Sequence, residues 1–243
     1  MTAVLEARGL RRHFGGLKAV DGVDFALQAG EIHALIGPNG AGKTTLVGLL
    51  SGRIRPDAGT IWLAGQDVTV LPAHVRVARG IGYTFQITSI YPRLSVFDNV
   101  ALAAQGRGPK GRTALAAAVE ATLARVGMEG FQGDPAGTLS YGHQRSLELA
   151  MGLALRPRVL ILDEPTQGLA SGEIARFGAL VRGLVPDAAV LLIEHNMDVV
   201  MDLAHRITVL ATGQVLACGT PAEVQANPAV QAAYLGGGPD AEA

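Results

Sequence analysis

Apolar residues alternate with polar ones early in the chain and recur at helical spacing in its middle. The alternation predicts short strands at residues 4–10, 23–27, 32–36, 60–63 and 81–85. Helical spacing predicts helices at 95–105 and 112–126, and another that begins near Ser140, a residue type favoured at N-caps. Further on, strands at 159–163, 188–193 and 215–218 alternate with helical segments, an order that favours a parallel, doubly wound sheet.

Composition and charge narrow the class of protein. Of the 243 residues, 49% are hydrophobic, and the formal charge of −1 produces no overall positive field that would attract nucleic acid. Cys218 is the single cysteine, so an internal disulfide is excluded and a reducing compartment is compatible. The longest aliphatic run, residues 188–193, is far shorter than the ~18 residues of a spanning helix. Work at a membrane would therefore require a partner.

Residues 37–45 carry the strongest chemical signal in the chain. They match G-x-x-x-x-G-K-[ST], in which backbone N–H groups closely surround a triphosphate and the lysine supplies a cation to it. The matching residues are Gly37, Pro38, Asn39, Gly40, Ala41, Gly42, Lys43, Thr44 and Thr45. The Thr44 hydroxyl is placed for Mg²⁺. A predicted strand precedes the motif and a predicted helix follows it, which disfavours the alternative of a glycine-rich turn that binds nothing.

A second signal lies at the end of the predicted strand 159–163. Its aliphatic residues lead directly into two carboxylates, Asp163 and Glu164. Because ligands of open α/β sheets bind at the carboxyl ends of the strands, we expect Asp163 near Mg²⁺ and Glu164 near the γ-phosphate. The alternative is a buried strand that happens to end in acidic residues.

Three further residues are ambiguous when each is taken alone. Phe14, in a predicted loop, could stack on an adenine ring or pack beneath its own turn. Gln86, after a predicted strand, could ligate Mg²⁺ or hold a water, although a lone glutamine is more often a surface residue. His195 also follows a predicted strand, where a histidine is usually structural.

In this order the motifs resemble those of the nucleotide-binding subunit of an ABC transporter, over about residues 5–235. Residues 139–145, Leu-Ser-Tyr-Gly-His-Gln-Arg, are similar to the signature sequence of that family and precede the carboxylate strand as the family requires. The resemblance implies ATP and Mg²⁺ as cofactors and ATP hydrolysis coupled to transport. It also implies a head-to-tail pair of cassettes, in which Ser140 and Gly142 act on the nucleotide of the partner.

The family pattern assigns a role to each candidate. Phe14 matches the aromatic residue that stacks on adenine, and Gln86 matches the glutamine whose loop couples the nucleotide to the membrane partner. The implied metal ligands are Thr44, Gln86 and Asp163. The implied catalytic residues are Lys43, the carboxylate Glu164 and the switch histidine His195.

The chain departs from the family pattern at three positions. Tyr141 and His143 stand in the signature where many members have glycine and glutamine. Ala170 stands where many members have an aspartate, in the loop that signals between paired cassettes. Since alanine has no side-chain hydrogen bond to offer, this departure puts communication across the dimer in question.

The closer resemblance is to ATPases of branched-chain amino-acid and related amide or urea uptake systems, through residues 85–96, 193–200 and 219–236. It implies two integral-membrane permease subunits, an extracytoplasmic solute-binding protein, and a peripheral position on the cytoplasmic face of the plasma (inner) membrane. The partner cassette is either the same chain or a different one. A soluble ABC-type ATPase and a structural cassette with little hydrolysis are the alternatives.

The predicted fold is therefore α/β: a P-loop NTPase core with a parallel sheet, an N-terminal antiparallel β part and an inserted helical subdomain. We expect residues 1–86 and 158–235 to form the two parts of the ATP-binding core. Residues 87–157 form the helical subdomain with the signature, and residues 236–243 form a flexible tail.

Overall fold

The computed structural model describes residues 3–84, 89–105 and 107–235. The strands in these ranges are β1 (Ala3–Phe14), β2 (Leu17–Gln28), β3 (Ile32–Ile36), β4 (Ala58–Leu63), β5 (Gln66–Asp67), β6 (Ile81–Thr84), β7 (Val159–Asp163), β8 (Ala189–Ile193), β9 (Arg206–Ala211) and β10 (Gln214–Gly219). The helices are α1 (Lys43–Ser51), α2 (Ala73–Arg79), α3 (Val96–Ala104), α4 (Arg112–Arg125), α5 (Tyr141–Ala154), α6 (Ser171–Arg182), α7 (Met197–Leu203), α8 (Pro221–Gln225) and α9 (Pro228–Leu235). Apart from the first two strands and α7, the predicted elements are close to these bounds.

The first two strands form a hairpin that is longer than the sequence indicated. Each strand has 12 residues, and their pairing continues to Phe14 and Leu17 beside a two-residue turn. Gly15 has a φ of 57° in that turn, as a tight hairpin requires. The placement of Phe14 in a loop was therefore wrong, because the two glycines after it let the ladder run to the end of β1. The hairpin continues into an antiparallel sheet of order β2-β1-β4-β5.

A second sheet has the order β10-β9-β3-β8-β7-β6. Its strands run parallel except β10, which is antiparallel to β9. Leu160 and Leu162 of β7 pack among the helices, whereas Val159 and Ile161 pack towards α1 and the antiparallel sheet. Burial on both faces explains why β8 and the first four residues of β7 are continuous aliphatic runs. β3 and β8 are the two middle strands, and β7 is an interior strand between β8 and the edge strand β6.

Helices α3, α4 and α5 pack against one another over one face of the parallel sheet. Ser140 is the N-cap of α5, as predicted, and its Oγ accepts a hydrogen bond from the backbone N–H of His143. Helix α7 was not predicted. It is short, and it is capped by Asn196, whose side chain accepts from two backbone N–H groups of the first turn.

The strand order brings three loops together at the carboxyl ends of the parallel strands. β3 leads into the phosphate loop, while β7 and β8, which follow it side by side in the sheet, lead into Asp163–Glu164 and Glu194–His195. Parallel strands end at the same edge, so residues from distant parts of the chain meet there. Gln86 and the predicted tail lie outside the described residues.

Candidate active site

Residues 37–42 form a loop that packs tightly against neighbouring backbone. A Cβ atom on Gly37 would lie 2.2 Å from the carbonyl oxygen of Leu210, and one on Gly42 would lie 2.1 Å from that of Ala19. Both glycines also have positive φ values, 153° and 99°. The two glycines are thus required by the approach of the protein's own backbone, in addition to the approach of a ligand.

Lys43 begins α1 with its side chain inside this loop. Its Nζ donates to the carbonyl oxygens of Gly37 at 2.7 Å and Pro38 at 3.0 Å, and the residue is buried. Burial lowers the pKa of Lys43, although the carboxylates of Glu164 and Asp163 oppose the shift. The ammonium group lies at the amino end of a helix, where phosphate groups are favoured.

A cavity of about 330 Å³ brings most of the predicted residues together. It is lined by Phe14, Leu17, Ala19, Asn39, Gly40, Ala41, Gly42, Lys43, Thr44, Thr45, Asp163, Glu164, Ile193 and His195. Cations, hydroxyls and carboxylates therefore converge on one concave space, within the size range of small-molecule sites.

Asp163, the last residue of β7, is held by a residue that the sequence analysis did not single out. The hydroxyl of Tyr83 donates to Asp163 Oδ2 at 2.5 Å and accepts from Arg53 Nη2 at 2.7 Å. The guanidinium carbon of Arg53 also lies 4.1 Å from the centroid of the tyrosine ring. Burial and the hydrogen bond to Asp163 raise the pKa of Tyr83, so its hydroxyl stays protonated as a donor.

The donor set at this edge fits Mg²⁺. Asp163 and the exposed Thr44 line the same cavity and offer a carboxylate and a hydroxyl. Among the described residues, no group of three His, Cys, Asp or Glu side chains is arranged to hold a metal ion. Mg²⁺ in nucleotide sites is typically bound by one or two protein oxygens together with phosphates and waters, so few protein ligands are expected.

Glu164 and His195 meet across the ends of β7 and β8. Glu164 Oε1 lies 2.8 Å from His195 Nε2, and the backbone N–H of Glu164 donates to the carbonyl oxygen of Ile193 at 2.9 Å. Glu164 has a φ of 49°, a left-handed conformation that costs a non-glycine residue about 1–3 kcal/mol. The surrounding hydrogen bonds hold this conformation, which places the carboxylate at the cavity.

Glu194 is a second residue that the sequence analysis passed over. It is buried, and its Oε1 accepts from the backbone N–H and the hydroxyl of Thr166 at 2.9 and 2.6 Å. Its Oε2 accepts from the backbone N–H of His195 at 3.1 Å. Glu194 therefore ties the loop after β7 to the loop after β8. A carboxylate directly after a buried aliphatic strand was the available signal.

Phe14 lies at the open side of the same cavity. Its side chain is 45% exposed, so it does not pack beneath its own turn. The guanidinium carbon of Arg12 lies 4.7 Å from the ring centroid, so Arg12 and Phe14 form a cation–π contact. An exposed aromatic ring beside a phosphate loop offers a stacking surface for a base.

The signature residues lie elsewhere. Ser140 and Gly142 line a separate cavity of about 450 Å³ between α5 and α6. A Cβ atom on Gly142 would lie 2.3 Å from a carboxylate oxygen of Glu173, and Ser140 Oγ lies 3.1 Å from His143 Nδ1. Within one chain, the structure thus does not bring Ser140 and Gly142 to the phosphate loop.

Comparison with known proteins decides the family. Residues 20–167, more than half of the chain, match the family model described as ABC transporter. The chain belongs to the ABC transporter family. Residues 214–240 also match a model described as branched-chain amino acid ATP-binding cassette transporter.

Full-length relatives of this ABC protein share its size. The high-affinity branched-chain amino acid transport ATP-binding protein BraF of Pseudomonas aeruginosa is 39% identical over 250 residues, covering 96% of this chain and 98% of BraF. LivG of Escherichia coli K12, of the same description, is 37% identical over 249 residues, with the same coverage. MJ1267, an ATP-binding cassette of an ABC transporter, superposes with a TM-score of 0.88 at 26% identity, covering 97% of this chain and all of MJ1267. The chain is therefore an ATP-binding subunit of an ABC transporter and an ATPase.

Tyr141, the unusual residue in the signature of this ABC subunit, has a defined environment. Its hydroxyl accepts from Arg145 at 2.8 Å, and Arg145 forms a buried ion pair with Glu148 at 2.9 Å. Glu148 in turn accepts from the backbone N–H of Ser89 at 2.6 Å. Burial raises the pKa of Glu148, against the opposing effects of these hydrogen bonds. A glycine in place of Tyr141 would lack the hydroxyl that starts this chain of contacts.

Ala170, the departure outside the signature, is the N-cap of α6 and provides no side-chain cap. Its backbone N–H donates to the side chain of Glu173 at 3.0 Å. In the part of the chain that the structure describes, no helix of this ABC subunit has the length and apolarity of a membrane span.

Proposed function

We propose that this chain powers the uptake of branched-chain amino acids, or of a related small polar solute, by an importer. Two observations support the choice of solute: the relatives BraF and LivG carry that function in their descriptions, and residues 214–240 match a model of the same transporter class. The observation that carries the chemistry is the contact between Glu164 and His195 at the cavity that also holds Lys43.

The phosphate loop would bind the triphosphate of ATP. Lys43 and the amino end of α1 would offset the negative charge of the triphosphate. The same groups would stabilise the charge on the phosphate oxygens in the transition state, when the γ-phosphoryl group is being transferred. Phe14 would stack on the adenine ring. Thr44, Asp163 and Gln86, the last outside the described residues, would hold Mg²⁺, which neutralises phosphate charge when bound.

Glu164 would polarise the attacking water, and His195 would orient that water and the γ-phosphate. The 2.8 Å contact between their side chains fits this pairing, because each group limits the orientations open to the other. Glu194 would keep both loops in register through its bonds to Thr166 and to the backbone of His195.

Two cassettes would complete each ATP site. Ser140 and Gly142 lie in a cavity apart from Lys43, so their contact with nucleotide requires a second copy or a related chain. In a head-to-tail pair, the amino end of α5 would face the γ-phosphate held by the partner. Residues 87–157 would act as the helical subdomain, and residues 1–86 and 158–235 as the core.

The remaining partners would lie in the membrane. Two permease subunits would contact the helical subdomain and the segment around Gln86, and an extracytoplasmic solute-binding protein would deliver the solute. The chain would then occupy the cytoplasmic face of the plasma (inner) membrane.

To test these partners, the tagged chain is captured from mildly solubilised native membranes, and the uptake of labelled leucine is measured in cells with and without the gene. Co-capture of two permeases and lost uptake would support the proposal; capture of the chain alone would contradict it.

The proposed chemistry is tested by Glu164→Gln. The variant keeps the size of the side chain but removes the carboxylate, so we expect ATP affinity to be retained and turnover to fall by at least about 100-fold. Glu129→Gln is a matched control, since Glu129 is exposed and outside both cavities. Near-normal hydrolysis by Glu164→Gln would refute the role given to Glu164.

A further inference from the structure

We propose that Tyr83 is a positioning residue for Asp163, which it holds in the orientation that binds Mg²⁺, and that Arg53 fixes Tyr83 in turn. The inference rests on the proposed function, because it concerns the metal that accompanies ATP. Tyr83 and Arg53 both lie outside the phosphate loop, the signature and the pair of carboxylates Asp163 and Glu164.

The strand register makes the contact between Tyr83 and Asp163 possible. Tyr83 of β6 pairs with Ile161 of the parallel strand β7, and Asp163 lies two residues beyond Ile161 on the same face. Tyr83 and Asp163 are therefore diagonal neighbours on adjacent strands, a separation that a tyrosine side chain is long enough to bridge. Its hydroxyl reaches Asp163 Oδ2 at 2.5 Å, a short distance typical of a hydroxyl donating to a carboxylate.

Arg53 determines which way the tyrosine hydroxyl points. A tyrosine hydroxyl has one proton to donate and can accept from another group. Arg53 Nη2 donates to it at 2.7 Å, so the proton of the hydroxyl is directed at Asp163. Arg53 is itself placed by its Nε, which donates to Ser51 Oγ at 3.2 Å, and by the stacking of its guanidinium 4.1 Å from the tyrosine ring centroid.

This arrangement restrains one oxygen of the carboxylate and leaves the group at the wall of the phosphate cavity. A carboxylate with one oxygen hydrogen-bonded cannot rotate freely, so less freedom is lost when a metal binds it. Hydrogen bonds to metal ligands commonly change metal affinity or activity by about 10- to 100-fold when they are removed. Tyr83 therefore acts on the affinity for Mg²⁺ through Asp163, without touching ATP.

Tyr83→Phe tests the inference, because it deletes the hydroxyl and keeps the ring beside Arg53. The affinity for the fluorescent nucleotide mant-ATP is measured in EDTA and across a Mg²⁺ titration, together with the thermal midpoint. We expect the affinity for mant-ATP in EDTA and the thermal midpoint to be unchanged. The Mg²⁺ midpoint, which is the Mg²⁺ concentration that gives half of the maximal gain in affinity, should rise by about 10-fold. Tyr91→Phe is the matched control, since Tyr91 is 56% exposed and none of its described contacts uses the hydroxyl.

Arg53→Lys tests the second step. It keeps a positive charge but removes the planar group that stacks and donates, so we expect a smaller rise of the Mg²⁺ midpoint, and no further rise when it is combined with Tyr83→Phe. Additive effects would overturn the role of Arg53. An unchanged Mg²⁺ midpoint in Tyr83→Phe, or an equal loss of affinity with and without Mg²⁺, would overturn the role of Tyr83. Failure of the wild-type protein to bind mant-ATP would contradict the proposed function instead.

Discussion

Replacement of Ala170 by serine should stabilise the protein, because α6 begins with half of a capping box. The backbone N–H of Ala170 donates to the Glu173 side chain at 3.0 Å, but Ala170 has no side-chain oxygen to accept from the first turn in return. Its φ of −70° and ψ of 156° are the extended conformation in which a capping side chain reaches that turn. The residue is exposed, so a hydroxyl fits without steric cost.

The same chain contains the complete form of this motif at α8. There Thr220 Oγ1 accepts from the backbone N–H of Glu223 at 3.3 Å, and the backbone N–H of Thr220 donates to Glu223 at 2.7 Å. Loss of an N-cap side chain typically costs about 1 kcal/mol, within a range of roughly 0.5–2 kcal/mol. Ala170→Ser should therefore gain about what Thr220→Ala loses, and for a chain of this size 1 kcal/mol corresponds to a midpoint shift of about 2–4 °C.

Urea unfolding followed by circular dichroism measures both effects, with the m-value as a check that the unfolded states are comparable. Ala121→Ser is the control: Ala121 is exposed within α4, where serine has a lower helix propensity than alanine, so this variant should lose a few tenths of a kcal/mol. The cap interpretation is refuted if Ala170→Ser gives no gain, or if Ala121→Ser gains as much. Ala170→Asp should gain no more than serine, because its charge lies beside the carboxylate of Glu173.

Three further predictions concern the loop, a buried histidine and a buried ion pair. Gly42→Ala should abolish tight binding of mant-ATP, since its Cβ would lie 2.1 Å from a backbone carbonyl oxygen. Gly30→Ala should keep that binding, because Gly30 also has a positive φ, 72°, but a Cβ there would meet no atom within 4 Å. Burial lowers the pKa of His33 to about 4, so below pH 6.5 the unfolded chain binds a proton that the folded chain does not. Urea unfolding should therefore show stability that falls by about 3 kcal/mol between pH 6.5 and 4, and His33→Gln should remove that part of the slope. Glu148→Gln should cost about 3–5 kcal/mol in urea unfolding by leaving a buried arginine without its carboxylate, while Asp187→Asn in an exposed ion pair should cost at most about 1 kcal/mol.

The elements that could be predicted from sequence are those whose local pattern has one physical cause. β3, β7 and β8 are mostly aliphatic because the sheet is covered on both faces, the exceptions being His33 in β3 and Asp163 at the end of β7. The phosphate loop is recognisable because its glycines and lysine lie within a few residues of one another in the chain. The long hairpin and α7 were less visible. Pairing to Phe14 depends on a turn formed by two glycines, and α7 is a short helix set by the cap at Asn196.

The contacts that orient the candidate site were invisible for a different reason. Tyr83 and Asp163 are 80 residues apart, and Thr166 and Glu194 are 28 apart; both contacts exist because β6, β7 and β8 are neighbours in the sheet. The order of strands in the sheet cannot be deduced from any local sequence pattern. In the sheet β3 lies between β8 and β9, which the order of the strands along the chain does not predict. A motif thus identifies which groups meet the nucleotide, but the side chains that hold those groups are selected by strand adjacency. Substitutions at Tyr83 and Glu194 should therefore change how the motif residues act while leaving every motif intact.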